Sequence, residues 1–365
     1  MAEIKVDNLQ KAFGDFVAVK NSTFTIQDGE FFCLLGPSGC GKTTTLRMIA
    51  GLELPTSGCI FLDGEDVSLK RAAQRDIAFV FQLFALYPHM SVRQNIGFPL
   101  KSQGMGRAEI RERVAQAAQI LQIPHLLNRS VSGLSSGDRQ RVALGRAIVR
   151  QPKAFLMDEP LGALDTEFRH VMTGELRALH DRLKSTTIYV THDQLEAMAM
   201  ADKIAVMNGG LIEQLDTPRN IYDKPASLFV ADFIGSPPMN FLSFHGNVEK
   251  GAEKVRVEGG EIGVPRIHES LGEGEFILGV RPEHVQFADG GALRGVVFGV
   301  EYLGTTQIVT MTTPHGTLRA RAPADFILSI GERLSLALKP EKLSLFDKAS
   351  GRAISTALTD GPLHG

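Results

Sequence analysis

The chain has 365 residues, 43% of them hydrophobic, and its 39 basic and 41 acidic side chains leave a net charge of −2. This length predicts two or three globular domains. The near-neutral charge argues against nucleic acid as a partner, because proteins that neutralise phosphates carry basic surfaces. No stretch of about 18 apolar residues predicts a membrane span. Residues 1–5 lack the pattern of a secretory signal and the three cysteines form no paired motif, so we expect a cytoplasmic chain.

The first 26 residues predict an antiparallel sheet. Residues 4–9 alternate between apolar and polar side chains, residues 11–14 read as a turn, and the extended pattern resumes over residues 18–26. Phe13, the aromatic residue at the predicted turn, has two interpretations with equal support: a core residue, or a ring that stacks on adenine.

A glycine-rich loop follows the apolar run at residues 31–35 and leads into helix-forming residues. The loop fits G-x-x-x-x-G-K-[ST], and between a strand and a helix this motif predicts a site for a nucleoside triphosphate rather than an incidental turn. Backbone amides and the positive helix end would surround the phosphates, Lys42 would contact the β- and γ-phosphates, and Thr43 would ligate Mg²⁺. The predicted nucleotide-binding residues of the loop are Gly36, Pro37, Ser38, Gly39, Cys40, Gly41, Lys42, Thr43 and Thr44.

Two apolar runs predict buried strands at residues 77–81 and 154–157, and the run at residues 187–191 predicts a further strand. Each run is followed by side chains suited to catalysis: Gln82, the pair Asp158 and Glu159, and His192. In open α/β sheets ligands bind beyond the carboxyl ends of the strands, so we expect these side chains beside the nucleotide.

Each of these side chains has a catalytic interpretation and a plainer one. We assign Asp158 to Mg²⁺ and Glu159 to the attacking water, which a carboxylate can orient and deprotonate; otherwise the two acids cap the next turn. The amide of Gln82 could reach Mg²⁺ or the water, or belong to a simple turn. His192 would contact the γ-phosphate, or serve as a structural histidine.

The segment between residues 91 and 150 has a helical pattern and predicts a helical insertion in the nucleotide domain. Residues 107–122 place apolar side chains on one helix face. Ser135 is well placed to cap a second helix, and Gly137 is expected to leave the amides of its first turn bare, as an anion site requires.

The C-terminal part of the chain has a different pattern. Residues 203–214 predict a hairpin that closes the sheet, and after residue 235 short β-like runs split by glycine and proline predict a small all-β barrel. This barrel lacks the clustered aromatic residues and the basic face of nucleic-acid-binding barrels. The residues after Asp347 are expected to be loosely ordered.

In this order the motifs resemble those of the ATP-binding subunit of an ABC transporter, over almost the whole chain. Gln82 corresponds to the Q-loop, residues 134–138 to the signature, residues 155–159 to the second acidic motif, residues 161–165 to the D-loop and His192 to the switch histidine. The combination is far more specific than any single motif.

The resemblance implies a fold and a subfamily. The fold is an α/β P-loop NTPase domain in residues 1–235, a mixed sheet with a helical subdomain inserted at about residues 88–152, followed by a C-terminal all-β OB-like barrel regulatory domain in residues 236–365. Residues 235–241 and 279–284 resemble the maltose and glycerol-phosphate type of sugar importer.

The resemblance also implies an ATP-hydrolysing, Mg²⁺-dependent subunit that energises uptake of a sugar or related carbohydrate. Two identical chains would face head to tail, so that ATP at Lys42 of one chain meets Ser135, Gly137 and Asp138 of the other. The other partners would be two transmembrane permease subunits and, indirectly, an extracytoplasmic solute-binding protein, with no nucleic acid. The chain would lie peripherally on the cytoplasmic face of the inner membrane.

Three residues depart from the family pattern. Ser136 replaces the first glycine of the signature and Asp138 replaces its glutamine. A carboxylate there would repel a facing phosphate, so we expect weaker ATP-driven dimerisation. Gly162 stands where the D-loop commonly has serine. The communication between the two nucleotide sites that the family pattern implies is therefore less firmly expected in this chain.

Two other functions share features with this sequence and are alternatives to import. A soluble ATPase of the DNA-repair kind shares these motifs but needs a long coiled coil between Gln82 and Asp158, where about 75 residues without sustained heptads lie. A regulator would use the barrel as its working part and ATP as a signal.

Overall fold

The computed structural model describes residues 2–81, 85–162, 164–257, 260–288 and 290–360. The chain divides into two compact units, Met1–Pro218 and Arg219–Gly365. The domain boundary predicted after residue 235 lies inside the second unit and stays a prediction. Among the described residues, no helix combines the length and the apolar character that crossing a membrane requires.

The first unit contains two sheets and six α-helices among its described residues. Its strands are β1 (Ile4–Phe13), β2 (Phe16–Ile26), β3 (Phe31–Leu35), β4 (Ser57–Leu62), β5 (Glu65–Asp66), β6 (Ile77–Val80), β7 (Ala154–Asp158), β8 (Thr186–Thr191), β9 (Lys203–Asn208) and β10 (Leu211–Asp216). Its helices are α1 (Lys42–Ala50), α2 (Val92–Ser102), α3 (Arg107–Ile120), α4 (Ser136–Ile148), α5 (Thr166–Leu183) and α6 (Gln194–Met200).

The larger sheet of this unit is mixed, as predicted. Its strand order is β10-β9-β3-β8-β7-β6, and all neighbours are parallel except β10 and β9. The central strands β3, β7 and β8 are buried at every position, which explains the largely apolar sequences of β3 and β7. The predicted helical insertion is confirmed, since α2, α3 and α4 lie between β6 and β7 in the chain.

The smaller sheet is antiparallel, with the order β2-β1-β4-β5, and confirms the sheet predicted before the phosphate loop. The turn predicted at residues 11–14 is wrong, because β1 continues to Phe13, which pairs with Phe16 across a two-residue connection. Register shifts on both sides of Lys11 interrupt the alternation of side chains without ending the strand. Of residues 11–14, only Gly14, with φ of 58°, has a turn conformation that favours glycine.

Arg75 fixes the C-terminal end of α1. Its fully buried guanidinium donates hydrogen bonds to the carbonyls of Met48 (2.7 Å) and Ile49 (2.9 Å) in the last turn of that helix. It also donates to the carbonyls of Ser68 (3.1 Å) and Lys70 (2.9 Å). The Ile49 carbonyl is one of those that a helix end leaves without an intrahelical partner, and Arg75 supplies its donor, although burial lowers the pKa of Arg75.

Replacing Arg75 by methionine should destabilise the chain by about 3 kcal/mol, because several buried carbonyls lose their donor while the cost of burying a charge is removed. Urea unfolding of the full chain, followed by circular dichroism, measures the change. Arg71→Met, at an exposed position four residues earlier, is the control and should change the stability little. Equal losses in the two variants would contradict the role of Arg75.

The second unit is largely β-structure among its described residues and confirms the predicted all-β barrel. Its elements are α7 (Pro218–Asp223), α8 (Leu228–Phe233), β11 (Asn240–Val248), β12 (Lys254–Val257), β13 (Gly260–Gly263), β14 (Leu271–Val280), β15 (Val285–Phe287), β16 (Leu293–Tyr302), β17 (Thr306–Thr313), β18 (Gly316–Pro323), β19 (Arg333–Leu338) and β20 (Ser344–Asp347). The antiparallel sheets have the orders β11-β14-β20 and β15-β19-β16-β17-β18, with β12-β13 as a separate hairpin.

The segment after β20 is packed against the barrel over its described part, so the expectation of loose order after Asp347 is wrong for residues 348–360. Ile354 and Thr356 are both 1% exposed, and the Ile354 amide donates a 2.7 Å hydrogen bond to the carbonyl of Leu345. The expectation is based on the mostly polar sequence of this segment, but the apolar side chain of Ile354 packs into the barrel core.

Arg281, in the second of the two motifs that carry the subfamily resemblance, binds the segment that precedes the first. Its buried guanidinium donates to the carbonyls of Ala231, Ile234 and Tyr222, in the helical segment that precedes the first motif. The Tyr222 hydroxyl in turn donates to Glu283 at 2.7 Å, in the second motif. The second motif is therefore anchored by buried hydrogen bonds to the segment that leads into the first motif.

Candidate nucleotide site

The strand order brings the predicted residues to one edge of the larger sheet. The phosphate loop follows β3, His192 follows the neighbouring strand β8, and Asp158 ends the next strand, β7. Because these strands are parallel, their carboxyl ends meet at the same edge. Gln82, two residues after the end of β6 in the sequence, lies outside the described residues.

Lys42 is the first residue of α1, and its side chain is buried inside the phosphate loop. Its Nζ donates hydrogen bonds to the carbonyls of Gly36 and Pro37, each at 2.8 Å, and lies 3.8 Å from Cys40 Sγ. Burial raises the pKa of the Cys40 thiol despite this neighbouring cation. The loop thus holds one ammonium group at its centre, where an anion would meet it.

Two glycines of the loop are required by the close approach of other backbone segments. A Cβ atom on Gly36 would lie 2.2 Å from the carbonyl oxygen of Met207, and one on Gly41 would lie 2.5 Å from that of Ala18. Gly41 also has φ of 103° and occupies the N-cap of α1 without a side-chain capping bond. The amides at the start of α1 therefore have the character of an anion site.

Thr43 and Asp158 form the part of the site that fits Mg²⁺. The Thr43 hydroxyl donates a 2.8 Å hydrogen bond to Asp158 Oδ1, so two hard oxygen ligands are already adjacent. Burial raises the pKa of Asp158, and a cation beside it would favour the charged form. Among the described residues, no group of three or more His, Cys, Asp and Glu side chains could hold a metal. Mg²⁺ suits this arrangement, since it commonly takes one or two protein ligands and completes its shell with phosphates and water.

Glu159 and His192 face each other beside this pair. Glu159 Oε1 lies 3.4 Å from His192 Nδ1, and the His192 side chain is 53% exposed. Glu159 has φ of 44°, an uncommon conformation for a residue other than glycine, and its amide donates to the carbonyl of Val190 at 3.0 Å. Such a backbone conformation is frequent at functional sites, and here it turns the chain at the end of β7.

A buried network lies on both sides of His192 in the chain. The hydroxyls of Tyr189 and Thr191 each donate a 2.8 Å hydrogen bond to Glu196 Oε2, and the Asp193 amide donates to Thr191 Oγ1 at 3.0 Å. Burial raises the pKa of Glu196. Sequence reasoning missed Glu196, because Asp193 followed three residues later by an acid has the pattern of an ordinary helix start.

The signature residues form the start of α4. Ser135 caps this helix as predicted, since its Oγ accepts a hydrogen bond from the Asp138 amide at 3.1 Å. Its hydroxyl donates in turn to Asp138 Oδ2 at 2.8 Å. The sequence predicted an open glycine at position 137, but Gly137 is buried, and a Cβ atom on it would lie 2.1 Å from Cε1 of Phe168. Gly137 therefore makes room for an aromatic ring on α5.

Phe13 lies at the end of the β1–β2 hairpin and is 49% exposed, so the core interpretation is wrong. The Lys11 Nζ lies 4.8 Å from the centre of its ring. A cleft of about 420 Å³ beside the phosphate loop is lined by Phe16, Ala18 and Gly39, among others. The hairpin thus presents two exposed aromatic rings, of which Phe16 lines the cleft beside the loop, and stacking of Phe13 on adenine stays a prediction.

Comparisons with known families agree with this arrangement. Residues 19–162 match the ABC transporter family, residues 235–285 the MalK OB fold domain and residues 278–346 the TOBE domain.

Individual relatives match over nearly the full chain. The trehalose/maltose import ATP-binding protein MalK of Thermococcus litoralis is 45% identical over 97% of this chain and 100% of the relative. The sn-glycerol-3-phosphate import ATP-binding protein UgpC of Rhodopseudomonas palustris is 44% identical, with the same coverage. A dimeric structure of the ATP-binding cassette MJ0796 in a post-hydrolysis state, bound to ADP and Pi, is 31% identical and gives a TM-score of 0.53. The match covers 59% of this chain and 99% of the MJ0796 chain. The chain therefore belongs to the ABC transporter family, as an ATP-binding subunit that hydrolyses ATP in solute import.

Proposed function

We propose that ATP binds at the phosphate loop with Mg²⁺ held by Thr43 and Asp158, and that its hydrolysis energises the uptake of a sugar or related carbohydrate. The observation that carries this site is the Thr43–Asp158 hydrogen bond, because it joins the helix after the phosphate loop to the acidic end of β7. The proposed cargo class follows the relatives, whose names specify trehalose, maltose and glycerol 3-phosphate.

The remaining side chains at this edge receive distinct roles. Lys42 exchanges its bonds to the loop carbonyls for bonds to phosphate oxygens, which bear a full charge and bind an ammonium more strongly. Glu159 orients the attacking water and accepts its proton, while His192, 3.4 Å from that carboxylate, contacts the γ-phosphate. Gln82 keeps its proposed contact with Mg²⁺ or the water.

The working unit that we propose is a pair of identical chains with two shared nucleotide sites. Ser135, Gly137 and Asp138 of one chain would contact ATP bound at Lys42 of the other. The dimeric state of the MJ0796 structure supports this arrangement. The γ-phosphate is the group that touches both chains, so its loss would remove the contact that favours the closed pair.

Two transmembrane permease subunits and, indirectly, an extracytoplasmic solute-binding protein complete the proposed transporter. The chain would then be a peripheral protein on the cytoplasmic face of the inner membrane. Support comes from the full-length similarity to two import subunits.

Reconstitution with sugar-importer permeases tests the proposal. ATP hydrolysis by the full chain is measured alone, with the permease pair, and with the permease pair and a loaded solute-binding protein. We expect the highest rate in the third condition. A rate that is the same in all three would favour a regulator that uses ATP as a signal.

Replacing Asp138 by glutamine should strengthen ATP-driven dimerisation by about two- to fivefold, because an acid that faces a phosphate of the partner is removed. The ATP concentration at half-maximal dimerisation, measured by light scattering in a hydrolysis-deficient background, gives this change. The gain should shrink in high salt, which screens exposed charges.

Glu109→Gln is the matched control. Glu109 also lies in the first turn of its helix and pairs with an arginine on the same helix, Arg113, at 2.8 Å. Asp138 likewise lies near an arginine on its own helix, Arg141, three residues later and 3.7 Å away. An equal gain in both variants would assign the effect to net charge rather than to the signature.

A further inference from the structure

Arg169 connects the D-loop to the segment that carries His192. It lies in the first turn of α5, immediately after the D-loop, and its Nη2 donates a 3.1 Å hydrogen bond to the carbonyl of Leu164. Its Nη1 donates to Asp193 Oδ2 at 3.3 Å, and its Nε lies 3.7 Å from Glu196 Oε1. One guanidinium therefore contacts both segments at once.

The two acids that Arg169 contacts fix the chain on either side of His192. Asp193 follows His192 directly and caps α6 by accepting from the amides of that helix's first turn. Glu196 accepts a hydrogen bond from the hydroxyl of Thr191, which precedes His192, and Thr191 accepts one from the Asp193 amide. Hydrogen bonds thus fix the backbone on both sides of His192, while its imidazole points to Glu159.

We propose that Arg169 is a positioning residue that couples the D-loop to the switch histidine within one chain. The proposal rests on the role of His192 in hydrolysis given above. A displacement of the D-loop carbonyl at Leu164 moves the guanidinium, which moves Asp193 and Glu196 and hence the imidazole. The D-loop and the histidine then reach their hydrolytic positions together.

The geometry of this contact requires arginine. A guanidinium offers donors in several fixed directions, so it can bind a carbonyl on one side and two carboxylates on the other. Lysine would keep the positive charge that Glu196 and Asp193 need but would lose the fixed fork. The substitution Arg169→Lys therefore keeps the balance of charge but removes the geometry that the coupling requires.

A second arginine on the same helix provides a matched control. Arg177 donates to the carbonyl of Met200 at 2.6 Å and to Asp202 Oδ1 at 2.9 Å. It therefore links α5 to the far end of α6, and its partners Met200, Asp181 and Asp202 lie outside the D-loop and away from the residues that flank His192. A purely structural link between the two helices would be weakened equally by either substitution.

The experiment compares Arg169→Lys with Arg177→Lys in the purified full chain. For Arg169→Lys we expect kcat of ATP hydrolysis to fall about tenfold or more, since small displacements of catalytic groups are costly, with unchanged ATP affinity. Arg177→Lys should keep the kcat of the unsubstituted chain. Glu196→Gln, which removes one charge that faces Arg169, should reproduce the loss of kcat even where Arg169→Lys folds poorly.

A variant cycle with His192→Ala separates this inference from the proposed function. His192→Ala should lower kcat, and Arg169→Lys should lower it no further in that background. Full activity of His192→Ala would overturn the assigned role of the histidine. A normal kcat in Arg169→Lys, equal losses in both lysine variants, or independent losses in the cycle would overturn the coupling.

Discussion

Replacing Glu159 by glutamine should lower ATP hydrolysis by about 10²- to 10⁴-fold, the contribution of a positioned general base, while ATP binding persists. Glutamine has nearly the same shape, so the backbone turn at φ of 44° can be kept, and only the acceptor of the water's proton is lost. Because the γ-phosphate is then not cleaved, the contact that favours the closed pair remains. We expect ATP to convert this variant to a stable dimer, measured by light scattering, with release of phosphate measured in parallel.

Glu112→Gln is the control for the loss of one carboxylate. Glu112 is exposed on α3, and its carboxylate accepts a hydrogen bond from Gln116. This variant should hydrolyse ATP normally and show no stable dimer. If Glu159→Gln keeps its hydrolysis rate, the general base is another group; if it binds ATP yet stays monomeric with the permeases present, the shared site is wrong.

Much of the nucleotide domain could be predicted because its signals are local. The runs before the phosphate loop and before Asp158 are short, continuous and apolar, as buried parallel strands are, and the run before His192 is rich in β-branched residues. Once these strands are parallel neighbours, the residues that follow them must share one edge. The position of the site therefore follows from three strand ends, without knowledge of any side-chain contact.

The long-range contacts of the nucleotide domain could not be predicted, because their partners are far apart in the sequence. Arg75 binds carbonyls of α1 more than 20 residues earlier, and Arg169 contacts Glu196 on another helix. Charged residues are expected at the surface, and nothing in their neighbours indicates burial. For the same reason the sequence around Gly137 predicts accessible amides there, because the ring of Phe168 that covers this glycine belongs to a different helix.

Replacing Gly137 by alanine should lower ATP-driven dimerisation and hydrolysis by about 10- to 100-fold. Helix propensity alone predicts the opposite, a gain of about 0.5–1 kcal/mol, because alanine favours the first turn of α4. The new methyl group would, however, lie 2.1 Å from Cε1 of Phe168, and forced repacking of this kind costs about 1–3 kcal/mol. The ring or the signature must therefore move, and either movement displaces a segment proposed to face the partner's nucleotide. Light scattering with ATP and phosphate release measure the two effects.

Removal of the ring tests this explanation directly. Phe168→Ala in the Gly137→Ala background should restore part of the activity, and a coupling of about 0.5–3 kcal/mol is expected for two residues in contact. Gly174→Ala on α5 is the control, since a Cβ atom there has no heavy atom within 4 Å, and it should be neutral or slightly stabilising. If the double variant is no more active than Gly137→Ala, steric pressure on Phe168 is not the cause, and the glycine is needed for its backbone alone.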